Sequence, residues 1–155
     1  MNNLQEKFYT AVNVGDIGEV SRLVSLGAGV KAGNNRGVQL ASKRGHLEIV
    51  RYLVSVGADV TDDNNYAVQL ASEYGHLLVV KYLVSLGADV MDGGNRTVQL
   101  AIRGGHSDIA EYLVSLDTDN TTREDLAVQA NWGVRLSSKR GDTLGVRLCR
   151  WLFSR

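Results

Sequence analysis

The sequence predicts an all-α protein, built as a solenoid of stacked helix-turn-helix units. Three observations predict it. The 155-residue chain repeats itself at a step of thirty residues: Leu40, Leu70 and Leu100 recur in register, as do Gly45, Gly75 and Gly105, His46, His76 and His106, and Tyr52, Tyr82 and Tyr112. Self-similarity at a fixed period of roughly 20–50 residues is the mark of stacked repeats. Within each copy, two runs with apolar residues at helical spacing are separated by a glycine turn and closed by a second glycine. Finally, one helix pair cannot cover both of its apolar faces, so neighbouring copies must cover them.

The elements follow in order. Residues 2–13 read as a helix, with Asn2 or Asn3 as cap and Leu4, Phe8, Ala11 and Val12 on one face. Gly15 breaks it, Asp16 caps a second helix carrying Ile17, Val20, Leu23 and Val24, and Gly27 ends that helix. This is the same unit in divergent form, and Gln5, Glu6 and Lys7 supply the polar outer face that an end repeat needs. The next two units run over 34–63 and 64–93. Their first helices present Val38, Leu40 and Ala41, then Val68, Leu70 and Ala71. Their second helices present Leu47, Val50, Leu53 and Val54, then Leu77, Val80, Leu83 and Val84. Ala41, Ala71 and Ala101 are small enough for close helix approach. Asp62-Asp63-Asn64-Asn65 and Asp92-Gly93-Gly94-Asn95 are turn-forming strings between units.

The fourth unit, 94–119, has a more polar second helix and meets Asp117 where the others have glycine. The repeat domain is therefore assigned to 1–119, with units 4–33, 34–63, 64–93 and 94–119. Residues 120–155 read as a degenerate fifth unit or an irregular basic tail. Leu126-Ala127-Val128-Gln129 keeps the thirty-residue register, but Val134–Gly141 echoes Val38–Gly45 six residues out of step.

Composition narrows the function classes. Apolar residues make up 44% of the chain, enough for a core, and 17 basic against 17 acidic residues give a net charge of +0. That removes the overall electrostatic case for nucleic acid or an anionic membrane as partner. Cys149 is the single cysteine, so no disulfide framework is expected and an intracellular setting is favoured. Met1–Lys7 has no basic region leading into an apolar run, so no signal peptide is expected. No apolar run is long enough to span a bilayer.

Helix–turn–helix units with Gly45-His46-Leu47-Glu48-Ile49-Val50 and Gly57-Ala58-Asp59-Val60, then Gly75-His76-Leu77 and Gly87-Ala88-Asp89-Val90, resemble the ankyrin-repeat family over roughly residues 4–119. Asn64-Asn65-Tyr66-Ala67-Val68-Gln69-Leu70-Ala71-Ser72 resembles the short-repeat variety found in giant amoeba-infecting DNA viruses. Two departures matter. Family units run about 33 residues and open the first helix with Thr-Pro-Leu-His. Here the unit is thirty residues and the chain has no proline. The shortfall falls in the connecting hairpin, which is expected to be shorter and without regular strand pairing. Gln39, Gln69 and Gln99 stand where the family has histidine and can take over its hydrogen bonds.

The three histidines invite a metal or catalytic reading. They occupy one position in successive units, and packed helices lie about 8–10 Å apart, whereas zinc needs each nitrogen within about 2.1 Å. They are therefore expected to be structural, fixing the turn between helices. Gly27–Ala32 has the letters of a dinucleotide fingerprint but follows a helix rather than a strand. No nucleophile stands beside a base of its own. No enzyme, cofactor or metal is expected.

The informative signal is variation at fixed positions. Just before Gly-His the pairs are Lys43-Arg44, Glu73-Tyr74 and Arg103-Gly104; at the start of the first helix the residues are Arg36, Tyr66 and Arg96. In the family, the hairpins and the end of the first helix line a concave surface that holds partners, and Arg and Tyr are enriched at binding hot spots. Arg36, Lys43, Arg44, Tyr66, Tyr74, Arg96 and Arg103 are thus the candidate partner-binding residues. The reading is a monomeric, intracellular protein-protein interaction module. Its partner is another protein with an acidic patch, which the viral resemblance implies is a host protein, and not nucleic acid or membrane. The alternatives are a structural or degenerate paralogue without a specific partner, and an adaptor whose basic tail engages something else.

Overall fold

The computed structural model describes residues 3–90 and 92–116, as backbone alone for 62 and 92–95. The expectations placed on 120–155, including the basic tail and the echo at Leu126–Gln129, lie outside the described residues. Within them are eight helices and no strand: α1 (Asn3–Val14), α2 (Ile17–Ser25), α3 (Ala32–Arg44), α4 (Leu47–Ser55), α5 (Asp62–Glu73), α6 (Leu77–Ser85), α7 (Asp92–Gly104) and α8 (Ser107–Ser115). Each odd helix packs on the even helix that follows it. The odd helices also pack on one another in a row, while successive even helices touch only lightly.

One continuous core runs between the two layers. Leu23, Leu53, Leu83 and Leu113 contribute the same position from each second helix, and Val38 and Ala41, Val68 and Ala71, and Val98 and Ala101 contribute from the first helices; all are essentially inaccessible. The first unit departs by placing Phe8 where the others have valine. Its ring fills the space beside Gly37, whose added Cβ would stand 3.0 Å from two ring carbons. The next unit has Ala67 at that position, beside the smaller Val38. Large against small is thus traded across one interface while its volume is kept.

Helix ends follow one recipe. After α3 the chain enters the left-handed region at Gly45 (φ 76), and the His46 N–H reaches back to the Ala41 carbonyl at 3.0 Å. After α4 the Ala58 N–H does the same to Leu53 at 2.9 Å. This arrangement satisfies carbonyls that the helix leaves open. At the start of α2 the Glu19 N–H donates to Asp16 Oδ1 at 2.9 Å, the cap that the sequence implies.

The short connection between units is a left-handed turn rather than a hairpin of strands. Gly33, Asn34 and Asn35 have φ of 63, 56 and 57, and Asp63, Asn64 and Asn65 have φ of 55, 54 and 58. Side chains other than glycine clash there, and Asn and Asp are the tolerated exceptions because they bond locally. The turn also clamps the unit that follows. The buried Asn35 accepts the Asp59 N–H on Oδ1 at 2.9 Å, and Asn65 accepts that of Asp89 at 3.0 Å. In the first unit Gln5 fills the role, accepting the Gly29 N–H at 2.9 Å and donating to its carbonyl at 3.1 Å. Asn64→Gly should stay within about 0.5 kcal/mol of wild type, whereas Asn64→Ala should cost about 1 kcal/mol. Melting curves of the two variants compare them directly; equal losses would show that the backbone conformation is not what selects Asn64.

Two hydroxyls run against the pattern. Ser42 and Ser72 are fully buried and their Oγ atoms have no hydrogen-bond partner. The first and fourth units carry Val12 and Ile102 in the same column. Replacing Ser72 by alanine removes an unpaired polar atom, so stability should hold or rise by about 1 kcal/mol. A loss of that size in a urea titration would mean that the hydroxyl is bonded in solution.

Candidate functional site

The seven candidate residues all lie on the layer of first helices or its edges. Arg36, Arg44, Tyr66, Tyr74, Arg96 and Arg103 are exposed and Lys43 is half-buried. They form two rows. Arg36, Tyr66 and Arg96 stand near the starts of α3, α5 and α7; Lys43, Arg44, Tyr74 and Arg103 stand at their ends. The rows are eight residues apart along α3, about 12 Å of helix.

Several of these side chains are held in place by the neighbouring unit. The Arg36 guanidinium lies over the Tyr9 ring at 5.3 Å, and the Lys43 ammonium over the Tyr74 ring at 4.8 Å. Arg44 Nε donates to Asn13 Oδ1 at 2.7 Å, and Arg96 Nε to Gln69 Oε1 at 3.2 Å. None of the five cations forms an ion pair among the described residues. Their charge therefore stays available on this face, while contacts with aromatic or amide groups reduce the freedom they would lose on binding. Tyr66 and Arg103 have no such support among the described residues. The sole described ion pair, Arg22 with Glu19 at 2.7 Å, is on the second helix. The hydrogen bond from Arg22 holds the Glu19 carboxyl below its ordinary pKa, and an exposed pair of this kind adds little stability.

Two residues of this face escaped the reading of the sequence. Tyr9 and Asn13 anchor Arg36 and Arg44, and Tyr9 also donates its hydroxyl to the Ala32 carbonyl at 3.0 Å. Their signal was available: each stands one period before Gln39 and Lys43. The glutamines do take up hydrogen bonds, Gln39 Nε2 donating to the Asn34 carbonyl at 2.7 Å and Gln69 Nε2 to that of Asn64 at 2.8 Å.

A second surface feature lies behind the second helices. Leu26, Val56, Leu86 and Leu116 are 58%, 40%, 39% and 37% exposed and recur at the thirty-residue step just after each helix. The apolar residue repeated at this step, before glycine in the first three units and before Asp117 in the fourth, is the sequence signal for it.

The histidines tie units together rather than merely fixing the turn within one. His46 Nε2 faces the Asn13 carbonyl at 3.4 Å, His76 that of Lys43 at 3.0 Å, and His106 that of Glu73 at 3.1 Å. Each partner is 33 residues back, at the end of the preceding first helix. The rings lie over Gly15, Gly45 and Gly75, where no side chain would fit. The first unit has Asp16 in this column and spends it on capping its own helix. Among the described residues no three His, Cys, Asp or Glu side chains converge as metal ligands. No helix there is long and apolar enough to cross a membrane.

A repeating helix pair, a row of packed first helices and an inter-unit histidine together describe the family that the sequence comparison finds. The family model described as ankyrin repeats (3 copies) matches residues 8–93 and again 38–125. The chain belongs to the ankyrin-repeat family. No curated protein matches it. Ankyrin repeats are generally protein-protein interaction modules and typically not enzymes.

Proposed function

We propose that this ankyrin-repeat protein is a non-enzymatic module that binds another protein on its first-helix face, at Arg36, Lys43, Arg44, Tyr66, Tyr74, Arg96 and Arg103. The observation that carries the reading is the set of cations, four exposed and Lys43 half-buried, with no ion pair among the described residues, interleaved with exposed tyrosines and partly held in place by the neighbouring unit. Packing supports it too: first helices lie closer together than second helices, which bends a stack toward its first-helix side. A preformed curved surface binds with little ordering cost. The complement is an acidic patch on a monomer's partner, with association that slows as salt rises. The thirty-residue unit and the Asn64–Ser72 string support a further step, a viral protein engaging a host protein inside the cell.

The test is affinity capture from cell extract with the full chain and with the Arg44→Ala, Tyr74→Ala double variant. The variant should bind its partner more weakly by over about 2 kcal/mol. Its stability should stay within about 1 kcal/mol, since both residues are exposed. Capture of the same proteins in the same amounts would remove this face from the function.

A further inference from the structure

We infer that the row Arg36–Tyr66–Arg96 takes an extended acidic segment in the polyproline II conformation, with an acidic residue at each end and an apolar one midway, three residues apart. The inference rests on the protein-binding reading and names the chemistry of the partner.

The three residues occupy one position in successive units, on helices α3, α5 and α7 that pack side by side. The two arginines are held alike. Arg36 leans on Tyr9 and Arg96 on Gln69, and Tyr9 and Gln69 are themselves equivalent positions two units apart. Both guanidinium groups therefore lean toward the preceding unit, and their separation remains two steps of the stack. Between them Tyr66 is 39% exposed and makes no hydrogen bond or ring contact among the described residues. The row offers a cation, a ring and a cation on successive units, with neither cation in an ion pair among the described residues.

The interval selects the ligand's backbone. Packed helices sit about 8–10 Å apart. Polyproline II has three residues per turn and a rise of about 3.1 Å, so every third side chain returns to one face after about 9.3 Å. Acidic, apolar and acidic residues at i, i+3 and i+6 then meet Arg36, Tyr66 and Arg96 together. A β-strand turns residue i+3 to its opposite face, because its side chains alternate. An α-helix at about 1.5 Å per residue needs about seven residues per step. Bidentate carboxylate–guanidinium contacts anchor the ends, and the aromatic ring offers the kind of surface on which proline-rich segments dock.

The probes are fluorescein-labelled synthetic peptides in a proline background, each with glutamate, leucine and glutamate at spacings of two, three or four residues, and one helix-forming peptide with a spacing of seven. Fluorescence anisotropy with the full chain should give the tightest binding at three, by about tenfold over the others. Added salt should weaken it. Arg36→Ala and Arg96→Ala should each reduce the matched peptide to the level of the mismatched ones, with far-ultraviolet circular dichroism and melting unchanged. Equal affinity at every spacing, a maximum elsewhere, or no binding by any peptide overturns the inference. Those results leave the protein-binding reading standing, because the capture comparison tests it separately through Arg44 and Tyr74.

Discussion

Leu83→Ala should lower the stability of the repeat stack by about 2–5 kcal/mol. Leu83 is wholly inaccessible and belongs to the continuous core between the two helix layers. Truncating it removes buried methyl groups and leaves a cavity that rigid helices close only in part. The position recurs as Leu23, Leu53 and Leu113, so the loss falls in the middle of the stack rather than at an end. Repeat stability is approximately a sum of unit and interface contributions. A weakened third unit should therefore also uncouple the units on either side, and the urea transition should broaden. Circular dichroism during a urea titration measures both effects. A loss under about 0.5 kcal/mol would mean that Leu83 lies at the surface.

The second large effect is expected at Gly45. An alanine there meets two penalties. The backbone is left-handed (φ 76), costing an L-residue about 1–2 kcal/mol. Its Cβ would also press into the His76 ring of the following unit, and overpacking of this kind costs about 1–3 kcal/mol. Gly45→Ala should therefore destabilise by about 2–5 kcal/mol. In a His76→Ala background the ring is gone and only the backbone penalty remains, so the pair should couple by about 1 kcal/mol or more. A thermodynamic cycle over the four proteins gives that coupling. Simple additivity would mean that the ring moves aside freely and that the glycine–histidine contact does not join the units.

The period, the helix pairs, the glycine stops and the core leucines were legible from the sequence alone. Each is a local signal, apolar residues at helical spacing or a residue that tolerates φ above zero, and repetition printed it several times over. Tyr66, Tyr74, Arg36 and Arg96 could be singled out for the same reason, because variation stands out between units that are otherwise near copies. What the tertiary structure decided are the contacts that cross units. His76 and His106 each reach a carbonyl 33 residues back, in the preceding unit. Tyr9 and Asn13 join the candidate face from a unit that the sequence showed only as a divergent end. The left-handed turn also places Asn35 and Asn65 to hold the Asp59 and Asp89 N–H groups late in their own units. Such partnerships depend on how one helix pair is set against the next. Side-chain volumes at the interface determine that setting, as Phe8 does against Gly37, and spacing along a single chain does not record it.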